Sequence, residues 1–125
     1  MSREELVVTR FMAAINAHDL AAMAGLMSAD HQFIDSLGQV VAGKDAVREA
    51  WQGYFAFCPD YWISADQVFH QRDRVAVFGA AGGTIGMRPW RVPAAWLARA
   101  GEGCVTSWQV FADNKPVHDI LARAV

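Results

Sequence analysis

Between Trp90 and Asn114 the hydrophobic positions are rich in aromatic residues and in residues that favour β-strands. Two runs of about ten residues flank the tripeptide Gly101-Glu102-Gly103, a pattern that predicts a long antiparallel hairpin. Strict alternation along the second strand places one set of residues on each face: Cys104, Thr106, Trp108, Val110 and Ala112 on one, and Val105, Ser107, Gln109, Phe111 and Asp113 on the other. Because both faces carry apolar bulk, we expect helices or a cavity to cover one and a partner subunit the other.

Three earlier segments have the apolar spacing of amphipathic helices. Residues 3–17 carry apolar side chains at intervals of three and four, after a capping-box pattern formed by Ser2 and Glu5. Asp19 is a predicted N-cap for a short second helix that reaches about Met27. A third helix is predicted over 44–57 and ends before Pro59, with a stripe formed by Val47, Ala50, Trp51, Tyr54 and Phe55.

The remaining segments predict strands. They cover 31–37, 40–41, 61–71 and 74–85, and a short helix or tail follows over 117–125. Alternation puts His31, Phe33 and Asp35 on one face of the first strand. Helices gathered on one side of a curved, largely antiparallel sheet define an α+β fold.

Composition limits the classes of function. The length of 125 residues fits one domain over 1–125, and 54% apolar residues suggest a pocket or an interface. A net charge of −2 without a basic patch argues against nucleic-acid binding. No segment is apolar for long enough to span a membrane, no signal peptide opens the chain, and Cys58 and Cys104 lack metal-ligand spacing. We therefore expect a cytoplasmic protein without metal or cofactor.

Four segments spread along the chain resemble the SnoaL-like proteins of the nuclear transport factor 2-like superfamily, which also has ketosteroid isomerase-like and limonene epoxide hydrolase-like branches. They are residues 11–20, the strand 29–35, Gly43 before the third helix, and residues 103–113. The resemblance implies a cone-shaped curved sheet wrapped on N-terminal helices around an apolar pocket. It also implies a homodimer formed through the outer face of the sheet.

The resemblance carries over individual residues unevenly. Asp35 matches the carboxylate that shuttles the proton in ketosteroid isomerases. The tyrosine and the protonated acid that bind the enolate oxygen there fall at Phe11 and Ala95, so steroid isomerase activity of that type is not expected. The catalytic aspartate of the polyketide cyclases and epoxide hydrolases falls at Val110.

Two hypotheses of function follow. The first is an enzyme that acts on a small apolar molecule by acid–base chemistry at Asp35, assisted by His31. The second is a non-catalytic ligand-binding or accessory module that has lost its catalytic groups. In both, the expected pocket lining is aromatic and aliphatic: Phe11, Phe33, Trp51, Tyr54, Ala95, Trp108 and Val110.

The same residues have structural alternatives. Asp35 could instead cap a turn or pair with Arg91 or Arg99, which share the parity of Ala95. His31 could be a buried histidine whose hydrogen bonds are made within the core.

Overall fold

A computed structural model describes residues 1–123 and shows an α+β architecture. The described elements, in chain order, are α1 (Arg3–Ala17), α2 (Leu20–Leu26), β1 (Met27–Ile34), β2 (Val40–Ala42), α3 (Lys44–Phe57), β3 (Trp62–Gln71), β4 (Arg74–Ile85), β5 (Arg88–Gly101), β6 (Cys104–Ala112) and α4 (Lys115–Arg123). Helices α1 and α3 agree with the bounds predicted from the sequence. The terminal segment predicted over 117–125 is helical as far as Arg123, and its last two residues lie outside the described part.

The six strands form one curved, unclosed sheet in the order β2-β1-β6-β5-β4-β3. Neighbouring strands are antiparallel except β1 and β6, which are parallel, so the sheet is mixed. Strand β1 begins at Met27, four residues before the predicted start, because the chain passes directly from α2 into the sheet. The long strand β4 pairs along its whole length with residues 88–99 of β5.

Helix α1 covers the concave face of the sheet. Its N-terminus is capped as predicted, since the Ser2 hydroxyl accepts a hydrogen bond from the Glu5 amide at 3.0 Å. Its apolar stripe provides Val8, Phe11 and Ile15 to a core that these side chains share with α2, α3 and the inner face of the sheet. Burial of this stripe, rather than helix propensity alone, holds the helix on the sheet.

Alternation holds along β5 but is broken in β6. In β5 the even-numbered residues from Trp90 to Ala100 point inward and are buried, while the odd-numbered residues point outward. In β6 the partners of Ala100 and Arg99 are Val105 and Ser107, which leaves Thr106 as an extra residue in a bulge. Val105 and Trp108 are therefore both fully buried, and the predicted faces are wrong for Cys104 and Val105, before the bulge, and right from Ser107 onward.

Glycines in β4 allow other parts of the chain to approach closely. A side-chain carbon on Gly79 would collide with the Ser64 carbonyl oxygen of β3, and one on Gly83 would collide with the Cys58 sulfur. Glycines inside a strand are typical of bulges and close approaches, and both occur here, with a register shift in β3 opposite Gly79.

Candidate functional site: an aromatic cavity

A cavity of about 250 Å³ lies between α3 and the inner face of the sheet. Six of the residues that line it are aromatic: Phe33, Trp51, Tyr54, Tyr61, Trp90 and Trp96. Six more are small or aliphatic: Ala50, Ala81, Val92, Ala94, Val110 and Ala112. Three polar residues, Asp35, Ser36 and Asn114, complete the lining.

The aromatic rings around the cavity pack against one another in both perpendicular and nearly parallel orientations. Tyr54 stands perpendicular to Tyr61, with ring centroids 4.9 Å apart at 89°, and perpendicular to Trp51 at 6.4 Å and 90°. Tyr61 and Trp90 lie nearly parallel, 6.2 Å apart at 26°. Edge-to-face packing of this kind fixes ring orientations more strictly than aliphatic packing does. The aromatic wall is therefore preformed.

The polar residues sit where β1 ends and α4 begins. Asp35 follows the last residue of β1, and its Oδ1 accepts hydrogen bonds from the amides of Leu37 and Gln39, both at 2.9 Å. These bonds close the turn between β1 and β2. Both use the same oxygen, and Oδ2 accepts no hydrogen bond from the described part of the chain. One oxygen thus anchors the carboxylate while the other is free for a ligand.

A second polar contact joins the two edges of this end of the cavity. Asn114 Nδ2 donates to Ser36 Oγ at 2.8 Å, and both residues are half-buried. The bond connects the residue before α4 to the turn after β1. It therefore places the start of α4 next to Asp35.

The buried polar groups of the aromatic wall point into protein. The indole nitrogens of Trp51 and Trp90 are enclosed and find no hydrogen-bond partner among residues 1–123. Burial raises the pKa of Tyr54, and the neighbouring Cys58 adds to the effect. Burial likewise raises the pKa of Tyr61, with smaller contributions from Tyr54 and Cys58. Both phenols therefore remain neutral at physiological pH.

A hydrogen-bonded cluster supports the wall from behind. Asp60 Oδ1 and Oδ2 accept from the amide and the hydroxyl of Thr84, each at 2.7 Å, and these bonds lower the pKa of Asp60. The buried Cys58 thiol lies 3.7 Å from the same carboxylate, and burial raises its pKa. The cluster connects the segment between α3 and Tyr61, which contains Cys58 and Asp60, to Thr84 of β4.

Placement of the predicted site residues divides them into two groups. Asp35, Phe33, Trp51, Tyr54 and Val110 line the cavity. The others lie elsewhere: Phe11 and Trp108 are fully buried in the core, 5.3 Å from each other, and Ala95 lies on the outer face of β5. For these three residues the structure provides no contact with the cavity.

His31 is a core residue in this structure. Its side chain is fully buried, and its ring lies against Phe11 at 5.9 Å rather than in the cavity lining. Nδ1 donates to the Val105 carbonyl at 2.7 Å, and Nε2 is enclosed without a partner among the described residues. Burial lowers the pKa of His31, partly offset by the Val105 bond and the charge of Asp30.

The two arginines that could have paired with Asp35 point outward. Arg91 and Arg99 are exposed on the odd-numbered face of β5, and the Arg91 guanidinium lies over the Trp62 ring at 5.4 Å. Within residues 1–123 no ion pair involves Asp35. The structural alternative that applies to this aspartate is the turn cap.

Sequence reasoning missed one aromatic lining residue, Tyr61, which begins the predicted strand 61–71 and precedes β3 in the structure. The sequence offers five aromatic residues as a lining for a flat apolar ligand, with two or three of them expected to reach the cavity: Trp51, Tyr54, Trp90, Trp96 and Trp108. Four of the five line it, and Trp108 does not. The even numbers of Trp90 and Trp96 in β5, shared with the buried Val92 and Ala94, agree with their inward position.

Within residues 1–123 no three side chains of His, Cys, Asp or Glu gather closely enough to bind a metal ion. Of the helices described, none combines the length and the apolar character needed to cross a bilayer.

Comparison with known families explains this arrangement. The sequence profile of the SnoaL-like domain matches residues 8–115, which is most of the chain. The chain belongs to the SnoaL-like family. This assignment confirms the resemblance on which the predicted fold was based. No curated protein sequence matches this SnoaL-like chain.

Solved structures share the SnoaL-like fold at low sequence identity. A protein from Shewanella putrefaciens CN-32, provisionally named a SnoaL-like polyketide cyclase, superposes with a TM-score of 0.85 at 16% identity, covering 98% of this chain and 88% of its own. A hypothetical protein with a ketosteroid isomerase-like fold from Catenulispora acidiphila DSM 44928, solved in complex with trimethylamine, gives 0.77 at 24% identity, covering 84% and 83%. An NTF2-like protein of unknown function from Burkholderia pseudomallei K96243 gives 0.84 at 17%, covering 95% and 97%. At these identities the likeness establishes the fold alone.

Proposed function

We propose that this SnoaL-like protein binds one small, mainly apolar molecule in the aromatic cavity, with a polar group of the ligand next to Asp35. The observation that carries the proposal is the free Asp35 Oδ2 at one end of a preformed aromatic space. A few polar groups in an apolar pocket are typical of small-molecule sites. The volume of about 250 Å³ suits a ligand on the order of ten non-hydrogen atoms, smaller than a drug-sized molecule.

The tryptophans provide a direct test of binding. Indole N–H signals of Trp51, Trp90 and Trp96 should shift when a neutral cyclic probe such as cyclohexanone is titrated, because these rings line the cavity. Trp62, which lies under Arg91 on the outer face, is the internal control and should not respond.

A matched pair of variants locates the binding. Ala94 points into the cavity and its neighbour Ala95 points outward, so Ala94→Leu should abolish the response while Ala95→Leu preserves it. Equal responses in the two variants, or a response confined to Trp62, would contradict the proposal.

A second candidate function is acid–base catalysis at the same carboxylate. It is favoured by the different surroundings of the two Asp35 oxygens, since Oδ1 accepts hydrogen bonds from two amides while Oδ2 accepts none from residues 1–123. A positioned carboxylate of this kind can remove a proton from a carbon next to a carbonyl group. The non-catalytic alternative is favoured by Phe11, Ala95 and Val110, which replace catalytic groups of the relatives.

Deuterium incorporation separates catalysis from binding alone. In heavy water, the enzyme hypothesis predicts protein-dependent exchange at the carbons next to the carbonyl of a bound ketone. Asp35→Asn should reduce that exchange by about 100-fold or more, within the range of general acid–base groups. If the ketone binds but its deuterium exchange is no faster than in buffer alone, the enzyme hypothesis is wrong and the non-catalytic ligand-binding module stands.

We further propose a homodimer that forms through the outer face of the sheet. Phe78 of β4 and Phe111 of β6 flank Ala95 of β5 in register, and the exposed fractions of the two phenylalanines are 46% and 50%. Phe69 of β3 packs on Phe78 at 5.8 Å and is 58% exposed. A contiguous exposed aromatic patch of this kind is typical of an interface.

Sedimentation tests the dimer. The protein should sediment at twice the 13.7 kDa of one chain, and Phe78→Glu should produce monomers. Phe57→Glu is the control, because Phe57 is similarly exposed but lies on α3, away from the sheet. A wild-type monomer at micromolar concentration would refute the interface.

We also propose a cytoplasmic location, supported by two cysteines that are both unpaired in the described structure.

A further inference from the structure

The charge of the cavity lining is entirely negative. Among residues 1–123, Asp35 is the one lining side chain with a full charge, since these residues contribute no lysine, arginine or histidine to the lining and its two tyrosines remain neutral. An anionic ligand would face this carboxylate without any compensating cation. A cationic ligand would meet an opposite charge at the end of the cavity that Asp35 lines.

The wall of the cavity has the composition of a cage for organic cations. Trp51, Tyr54, Tyr61 and Trp90 form one cluster in which adjacent rings are perpendicular or nearly parallel. Rings in several planes around one space enclose a ligand from several sides. Aromatic faces attract cations, and cages of this type bind quaternary ammonium groups.

The indole N–H groups of the aromatic cluster do not face the cavity, so they do not interfere with the binding of a cation. Because the indole nitrogens of Trp51 and Trp90 are enclosed by protein, both rings present carbon surface to the cavity. The charged acceptor available to a ligand is Asp35 Oδ2. Neutral acceptors, from Ser36 and Asn114, lie at the Asp35 end of the cavity. An ammonium group packed against the aromatic rings would therefore leave N–H bonds without an acceptor, whereas an alkylated ammonium group has few or none.

We propose that the cavity selects a small ligand with an alkylated ammonium group, which packs against the aromatic cluster and pairs with the Asp35 carboxylate. This inference rests on the proposed small-molecule pocket and specifies the chemical class of its ligand. In this role Asp35 is the counter-ion of the ligand.

Two probes of the same shape test the charge requirement. Choline carries a trimethylammonium group, and 3,3-dimethyl-1-butanol has the same skeleton with a neutral tert-butyl group. Titration of the indole signals of Trp51 and Trp90 should give an affinity for choline about tenfold or more above that for the alcohol, the size expected of a desolvated cation–π contact with a counter-ion. Choline does not titrate, so its charge is the same at every pH used.

Variants separate the charge from the shape. Asp35→Asn retains the Oδ1 acceptor of the turn and should weaken choline binding about fivefold or more, by loss of one partly buried ion pair, while the affinity for the alcohol stays the same. Asp66→Asn removes an exposed carboxylate on β3 outside the cavity lining and should change neither affinity. Tyr61→Leu should weaken choline more than the alcohol, because it removes a ring and keeps apolar bulk.

The outcomes distinguish this inference from the proposed function. If the alcohol binds as tightly as choline, the charge selection is wrong and the small-molecule pocket stands. If neither probe shifts the indole signals at millimolar concentration, the inference is overturned, and the cyclohexanone titration of the Ala94 and Ala95 variants decides separately whether the cavity binds any small molecule.

Discussion

The His31 ring donates from Nδ1 to the Val105 carbonyl oxygen at 2.7 Å and so connects β1 to β6 where their backbone pairing is irregular. The two parallel strands shift register between Met27 and Gln32, and His31 lies within that interval. A side chain thus satisfies a buried carbonyl in a gap of the ladder. The bond also fixes the tautomer, with the proton on Nδ1.

Stability should depend on pH through His31. Because burial lowers its folded pKa below 6.5, the unfolded chain binds the proton more readily, and the free energy of unfolding should fall as the pH drops below about 6.5. The slope has a limit of about 1.4 kcal/mol per pH unit for one proton. Urea unfolding between pH 7.5 and 5 measures it.

His31→Gln provides the reference for this slope. Glutamine retains an N–H donor for Val105 and cannot titrate, so the stability difference between wild type and variant should shrink as the pH falls. Asp60, whose pKa is lowered by Thr84, loses its contribution only below 3.8 and does not affect this range. Parallel pH profiles for the two proteins would show that His31 is not responsible.

Asp35 should have separable structural and ligand-binding roles. Asp35→Ala removes the acceptor for the Leu37 and Gln39 amides and should lower the free energy of unfolding by about 1–2 kcal/mol, at a net 0.5–1.5 kcal/mol per hydrogen bond. Asp35→Asn retains an oxygen at that position and should change stability by less than about 0.5 kcal/mol. Chemical denaturation of the two variants makes the comparison. Equal losses would mean that the charge, not the oxygen acceptor, closes the turn.

The helices and the succession of strands along the chain were predictable because each of these elements rests on local spacing. The stripe of α3 from Val47 to Phe55 follows from a period of 3.6 residues, and the end of α3 at Phe57 follows from Pro59. The bulge at Thr106 has no such signal, since it is set by how β6 meets β5 and β1 together. The position of Ala95 outside the cavity could have been predicted from its alternation with the buried Ala94 and Trp96.

The candidate site was predictable only in part for a related reason. Asp35 and Phe33 came from alternation along a single strand, whereas Tyr61 enters the cavity from a connection between α3 and β3. No periodic pattern covers such a residue. The family resemblance led to Asp35 but also to Phe11, which tertiary packing places in the core.

Gly79 should tolerate no side chain. Gly79→Ala would force the added carbon against the Ser64 carbonyl, which belongs to backbone in a paired strand, and should cost about 2 kcal/mol or more. Gly53→Ala is the matched control, because its added carbon meets open space on exposed α3 and should stabilise the protein by about 0.5–1 kcal/mol. The thermal unfolding temperature should fall below that of the wild type in Gly79→Ala and rise above it in Gly53→Ala. A harmless Gly79→Ala would show that β3 can move away from β4.

The Asn16 side chain at the end of α1 forms hydrogen bonds with the free backbone edge of β3. Its Nδ2 donates to the Ile63 carbonyl at 3.0 Å, and its Oδ1 accepts from the Ile63 amide at 2.8 Å. Nearby, His18 Nε2 donates to the Tyr61 carbonyl at 2.7 Å. Since β3 is the edge strand, these bonds satisfy backbone groups that no neighbouring strand can reach. They also hold the segment that carries Tyr61 into the cavity wall.

Asn16→Ala should therefore loosen both the edge and the cavity. Loss of two hydrogen bonds should lower the free energy of unfolding by about 1–2 kcal/mol, and the Ile63 amide should lose its protection against hydrogen exchange because that amide has no other acceptor in reach. Thr9→Ala is the control on the same helix, since the Thr9 hydroxyl bonds to the Glu5 carbonyl and the Met1 sulfur, neither of them near β3, and its loss should leave Ile63 protected. Ligand affinity in Asn16→Ala should fall together with the protection of Ile63, because Tyr61 lies two residues before it. If Ile63 stays protected in this variant, the edge of β3 is held by the sheet alone, and Asn16 has no part in positioning the aromatic wall.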